Sequence, residues 1–318
     1  MKEYIINAEN EGQRFDKYLG RILGECKMSF IYKMLRKKNF VLNDKKADGR
    51  EILKSGDCVK IYLSDETFDK FKTRINGAEI HSSDNFKNLI IYEDKDILLI
   101  NKPSGMLSQK TKQDDVSVNE KLLGYLFENG KVDDANIINY RPSAVNRLDR
   151  NTTGLLICAK TLKAAQVISA GLKDRSINKY YQCAVLGTFK DEGKFSGYLK
   201  KNPDNNTVTI SKDKINDAEY IETEYKLLNT KVIDGIHISY VKVHLLTGKS
   251  HQIRAHLSYL GYPIAGDPKY GDLNINRKLG IKKQQLHAYR LEFPSYPEEY
   301  GFEFSNCIYE CNPDFSIK

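Results

Sequence analysis

Strand-like apolar runs recur from residue 89 onward without one helix between each pair, and that order limits what the chain can fold into. The first two, in "NLIIYEDKDILLIN", flank a Glu-Asp-Lys-Asp turn and predict a hairpin. Others follow at "LLICA", "YYQCAVLG", "YIETEYKLL" and "ISYVKVHLL", with helical pieces at "SVNEKLLGYLF", "LKAAQVISAGLK" and "SHQIRAHLSYLG". A doubly wound parallel sheet needs strict alternation, so the pattern predicts an α+β fold around a mixed, largely antiparallel sheet. With 318 residues the chain has room for about two domains.

The first sixty-odd residues read as a separate small unit. Phe15, Leu19, Ile22 and Leu23 recur at helical spacing, and Ser29 is placed to cap a second helix that buries Ile31, Met34 and Leu35. Lys33, Arg36 and Lys37 then face outward, with Lys38 following and Asn39 suited to a left-handed stop. "FVLNDKKA" predicts a strand running into an Asn-Asp hairpin turn, and "SGDCVKIYL" predicts another strand. Residues 65–86 are polar and without sustained period, which predicts a linker, and 87–318 form the larger domain.

Charge adds a partner class. There are 50 Lys and Arg against 42 Asp and Glu, a net +8, and residues 27–46 hold seven basic residues against one acid, Asp44. A polyanion fits such a segment, although a solvated lysine-rich face has the same composition. The start of the chain lacks the apolar core of a signal peptide, no segment nears the ~18 apolar residues of a membrane span, and the six cysteines include no C-x-x-C pair. The expectation is a cytoplasmic protein with no membrane role.

Several chemistries can be set aside. The chain has no Walker A, G-x-G-x-x-G or G-x-S-x-G sequence. In "HQIRAH", His251 and His256 are five apart, about 140° round a helix, and Gln252 stands where a zinc hydrolase needs Glu, so no metal is expected. What remains is "AVNRLDRNTTGLLICAK", where Asp149 lies between Arg147 and Arg150 just before an apolar strand. Seen alone, such an aspartate is more often a turn residue. Yet a carboxylate beside a guanidinium is ionised at neutral pH, and an anion suits nucleophilic or base chemistry.

These residues resemble a known family. "NRLDRNTTGLLICAK" is similar to the H-R-L-D-x-x-T-S-G-L-L-L motif of RluA-type pseudouridine synthases of ribosomal RNA. "YEDKDILLINKPSGMLS", "RSINKYYQCAVLG", "TGKSHQIRAHLSYLGYPIAGDPKYG" and "LHAYRLEF" match in family order. From Gly12 to Leu63 the R-x-D-K-x-L opening, the V-x-N segment and the closing G-D-x-V-x-I resemble the S4 RNA-binding module, which would occupy residues 1–64. The resemblance implies a catalytic domain of pseudouridine synthase type. It makes Asp149 the catalytic aspartate, Arg254 its basic partner, Tyr181 rather than Tyr180 the active-site tyrosine, and Arg147 the residue that enters the gap left by the target base. Lys33, Arg36, Lys37 and Lys38 would bind RNA phosphates.

Isomerising uridine breaks the N1–C1′ bond, turns the uracil, rejoins it through C5 and releases the C5 proton. Nothing is oxidised, so no cofactor is expected. The aspartate could attack the sugar, attack the ring, or remove a sugar proton to give a glycal; these routes stay open. The base must leave its stack, and an aromatic face such as Tyr181 can receive it. One departure is Asn146 where the family has His: either a hydrogen-bonding residue that Asn replaces, the reading favoured because Arg-Leu-Asp is intact, or a sign of altered substrate choice. The expectation is a monomeric enzyme acting on structured, ribosomal RNA; the rival reading is a non-catalytic RNA-binding or ribosome-assembly protein.

Overall fold

A computed structural model of the protein describes residues 1–24, 26–72, 85–112, 114–132, 137, 140–202, 205–315 and 317. Strands β1 (Lys2–Ile5), β2 (Phe40–Leu42), β3 (Lys45–Lys46) and β4 (Cys58–Ile61) form an antiparallel sheet in the order β1-β4-β2-β3. Helices α1 (Phe15–Ile22) and α2 (Met28–Arg36) pack against it. Phe15, Tyr18, Leu19 and Ile22 fall on one stripe of α1 and, with Ile31, Met34 and Leu35 of α2, make a core of their own. Buried Asp16 fixes the entry to α1 through the Arg14 guanidinium and the Tyr32 hydroxyl.

The caps of α2 differ from the sequence reading. The helix starts at Met28, one residue before Ser29, with Lys27 as N-cap and no side-chain cap. At its other end Lys38, not Asn39, takes the left-handed conformation at φ 60°. The Asn39 N–H reaches back to the Met34 carbonyl and the Lys38 N–H to Leu35, a Schellman closure that needs the left-handed residue one step earlier. Asn43 and Asp44 are both left-handed, the type I′ geometry expected of that hairpin.

The stretch read as a linker begins with helix α3 (Asp65–Phe71), capped by the Ser64 hydroxyl and anchored by Phe68 in the first core. Seven residues with one buried apolar position leave too little period to detect. Within that stretch residues 73–84 lie outside the described residues, and Phe86 at its end is buried in the core of the larger domain.

The larger sheet contains β5 (Ile90–Glu93), β6 (Ile97–Lys102), β7 (Ser143–Ala144), β8 (Thr153–Ala159), β9 (Asn178–Leu186), β10 (Gly193–Asn202), β11 (Thr207–Ser211), β12 (Glu219–Ile233), β13 (Ile236–Leu245), β14 (Leu286–Glu292) and β15 (Ile308–Glu310). Its main path is β11-β10-β12-β13-β9-β14-β8-β6-β5, with β7 on β8 and β15 on β14. The pairing β14–β8 is parallel and the others are antiparallel, so the sheet is mixed and largely antiparallel. Helices α4 (Val118–Glu128), α5 (Leu162–Asp174), α6 (Gln252–Tyr259) and α7 (Leu273–Lys278) accompany it.

Strand β8 explains its unbroken apolar sequence. Leu156 and Cys158 enter the core that includes α4 and α6 residues, whereas Leu155, Ile157 and Ala159 enter the opposite one with α5 and Phe293, Phe302 and Phe304. A strand covered on both faces has no solvent side to make polar. At its start Gly154 lies at φ 106°, and a Cβ there would stand 2.2 Å from the Ala288 carbonyl oxygen of β14. Gly154→Ala should therefore cost at least ~2 kcal/mol, combining left-handed strain with the clash. Urea unfolding measures it; an unchanged midpoint would refute the account.

Candidate active site

The loop of residues 145–152 joins β7 to β8 and is held by backbone contacts from several directions. Ser108 Oγ donates to the Leu148 carbonyl and accepts from the Leu148 N–H; the Val145 N–H reaches the Ile157 carbonyl. Beneath the loop, fully buried Lys102 of β6 donates to the carbonyls of Pro103, Met106 and Arg150 at 2.9–3.1 Å. Burial lowers its ammonium to about 8, against the pull of the Asp149 charge. The Ile157 N–H donates to Asn146 Oδ1 at 2.8 Å, so the residue at the departure from the family motif ties the loop to β8.

The Asp149 side chain projects from this loop and is 27% exposed. Its Oδ2 accepts from Arg254 Nη1 at 2.8 Å. Arg254, on α6, turns its other edge to Asp267, with Nε and Nη2 at 2.7 and 2.9 Å from the two carboxylate oxygens. Asp267 is fully buried and also accepts from the Lys269 and Tyr270 N–H groups. Burial alone would raise its carboxyl; the Arg254 hydrogen bonds and charge outweigh that and hold it below the ordinary value. One guanidinium thus spans an internal carboxylate and an accessible one.

His251 stands beside Asp149, with Nε2 3.9 Å from Oδ2 and Nδ1 2.9 Å from the Tyr270 hydroxyl. That hydroxyl accepts the Val208 N–H of β11, leaving its own proton for His251 Nδ1. Burial, the first cause, lowers the imidazole below its ordinary value, and Arg254 and Lys269 add to this. His256 points elsewhere: it is buried, with Nδ1 2.9 Å from the Tyr225 hydroxyl.

Tyr181, on β9, faces the same cleft and is almost wholly buried. Burial, then the Asp149 charge, pushes its phenol up, so it stays protonated. Tyr180 points to the opposite face of the sheet, where it stacks on His244 at 4.4 Å between ring centroids. Arg147 is exposed in the cleft wall. The cleft encloses about 780 Å³. Arg147, Arg150, Lys179, Lys201, Lys249, Arg254 and Lys269 line it, and among the described residues Asp149 is its one lining carboxylate. A pocket of this charge accepts an anionic polymer.

Asp149, Tyr181, Arg254 and Arg147 therefore meet in one cleft, whereas Lys33, Arg36, Lys37 and Lys38 do not line it; they lie exposed on α2 and its C-terminal turn. Sequence reasoning missed Asp267, Lys102, His251 and Tyr270. Asp267 and Tyr270 stood in the quoted "GDPKYG" and Lys102 in "NKP", with no periodicity to set them against Arg254 or the Asp149 loop.

A chain with this mixed sheet belongs to a class of RNA-modifying isomerases. Residues 96–259 match the RNA pseudouridylate synthase family, and the chain is a member of that family. It is 31% identical over 297 residues to an uncharacterised RNA pseudouridine synthase of Mycoplasma genitalium, covering 92% of this chain and 89% of that one. It is 32% identical to a ribosomal large subunit pseudouridine synthase D of Borreliella burgdorferi, covering 90% and 84%. The solved human RNA pseudouridylate synthase domain containing 1 has the same fold, with TM-score 0.55 and 24% identity over 71% of this chain and 82% of that one.

Breaking the buried end of the guanidinium bridge should be costly. Asp267→Asn leaves Arg254 short of a charge partner in the interior, and the expected loss is about 3–5 kcal/mol at neutral pH. Because the folded Asp267 carboxyl is held low, its stabilisation is complete above the unfolded value near ~3.9 and is lost as pH falls through the folded value. Urea unfolding of both proteins should show the gap narrowing below about pH 4; a gap that widens there would contradict this assignment.

Proposed function

We propose that this chain converts uridine to pseudouridine in structured RNA of the large ribosomal subunit, with Asp149 as the catalytic carboxylate. The observation that carries the reading is the position of Asp149: an accessible carboxylate, held at 2.8 Å by Arg254, in a cleft whose other charged lining residues, among those described, are Lys and Arg. The relatives named as ribosomal large subunit synthases supply the substrate class.

The cations draw in the RNA backbone, and the target nucleotide leaves its stack to reach the cleft floor. Arg147, exposed in the cleft wall, is suited to occupy the vacated space, and the Tyr181 ring offers the uracil an aromatic face. The pair with Arg254 fixes the Asp149 carboxylate in the cleft. Attack on C1′, attack on the ring and removal of a sugar proton all begin from that anion. Each ends with the glycosidic bond moved from N1 to C5, the C5 proton released and a proton taken up at N1, so the atoms balance without an external oxidant.

The N-terminal unit, residues 1–64, is proposed as an S4-type RNA-binding module, and 87–318 as the catalytic domain. Support comes from a separate core and from Lys33, Arg36, Lys37 and Lys38 projecting together around α2. The same proposal takes the enzyme as a cytoplasmic monomer; its six free thiols suit a reducing compartment.

Asp149→Asn should lower isomerisation by several orders of magnitude while RNA binding survives, since Asp267 still holds Arg254 in place. Tritium release from C5-labelled uridine RNA, beside filter binding, tests this; turnover within tenfold of wild type would remove Asp149 from the role. Replacing Lys33, Arg36, Lys37 and Lys38 with Gln should flatten the log–log salt dependence of RNA affinity by ~0.7–0.9 per lost phosphate contact. An unchanged slope would make that helix a solvated face.

A further inference from the structure

Lys179 is two residues before Tyr181 on β9, so its side chain lies on the same face of the sheet. It lines the main cleft and also a second cavity of about 270 Å³, whose wall includes Lys173, Arg175 and His244. Leu172, Lys179, Leu245, Gly248 and Lys249 belong to both cavities, which makes them one continuous groove. Gly248 leaves room for the ammonium: a Cβ there would stand 3.3 Å from Lys179 Nζ.

The Lys179 backbone pairs with β14, but among the described residues its ammonium has no hydrogen-bonding or ion-pair partner. The carboxylates around the groove serve other cations, Asp149 in the main cleft being paired with Arg254. Glu219 takes Lys249, and Glu222 takes Lys194 at 3.0 Å with Arg175 at 3.9 Å. Burial lowers the Lys179 ammonium from its ordinary value with no opposing charge to offset it. A half-buried cation without an anion costs the free protein stability, and an incoming anion would remove that cost.

We infer that Lys179 binds a phosphodiester of the RNA strand next to the nucleotide in the cleft, so that the strand leaves the cleft along the side groove past Lys173 and Arg175. This rests on the reading of the protein as an RNA isomerase and extends it to the path of the backbone. Phosphate supplies the missing counter-charge, and the two exposed cations continue the track.

The test uses the full chain and an unmodified 23S ribosomal RNA transcript. Lys179→Met keeps the apolar stem and removes the charge. It should weaken affinity about fivefold at 0.1 M salt and reduce the log–log salt slope by about 0.7, one phosphate contact's worth. The same variant should raise the thermal midpoint of the RNA-free protein, and Lys179→Arg should restore the slope. An unchanged slope in Lys179→Met overturns the inference, because a lysine serving only the fold would shift stability alone. Should Lys179→Met fail to fold, the exposed pair Lys173→Gln with Arg175→Asn decides, Asn suiting the left-handed backbone at φ 71°; a lower slope is expected and an unchanged one overturns the strand path. Wild-type turnover with unaltered slopes would sink this inference alone, whereas a wild-type chain without salt-dependent RNA binding would sink the parent reading.

Discussion

The guanidinium of Arg254 divides its donors between two carboxylates, and the cleft is arranged around that division. Asp267 takes the bidentate share in the interior, where backbone N–H groups also serve it. Asp149 takes the remaining donor at the cleft surface. An arginine paired only with Asp149 would be free to follow it; fastened at its inner edge, it fixes where the outer carboxylate must be. The arrangement puts a carboxylate in a strongly basic cleft, where Lys249 is drawn to Glu219 and Lys269 to the Asn205 and Asn206 carbonyls.

A second set of contacts makes the loop bearing Asp149 rigid. Lys102 satisfies three carbonyls from below, and Asn146 ties the loop to β8 through a backbone N–H. Neither residue faces the substrate's space as a charge. Their contribution is positional, and it makes Asn a workable occupant of a position where the family has His, since the contact needs an acceptor and not a titrating group.

Much of this was legible in the chain, for reasons that differ by residue. The apolar stripe of α1 and the outward lysines of α2 follow from helical period, and the Asn43–Asp44 turn from backbone chemistry. Asp149, Tyr181 and Arg254 are 32 or more residues apart, and only the order of several motif blocks brought them together. Strand parity separated Tyr181 from Tyr180 once the register was chosen. Asp267 could not be read as a partner of Arg254, because a loop residue carries no period. The lone state of Lys179 is likewise a property of which carboxylates are already taken, and composition cannot express that.

The position of β14 has a consequence for how the protein comes into being. It lies between β8 and β9, so without residues 286–292 the larger sheet is two separate pieces, one carrying Asp149 at its edge and the other carrying Tyr181. Gly154 is shaped for the strand that arrives about 130 residues later. Synthesis from the N-terminus therefore makes both halves of the cleft well before the piece that splices them, and pairing over such separations is slow. The cleft is therefore unassembled in any growing chain whose residues 286–292 have not yet left the ribosome, whatever has been made before them.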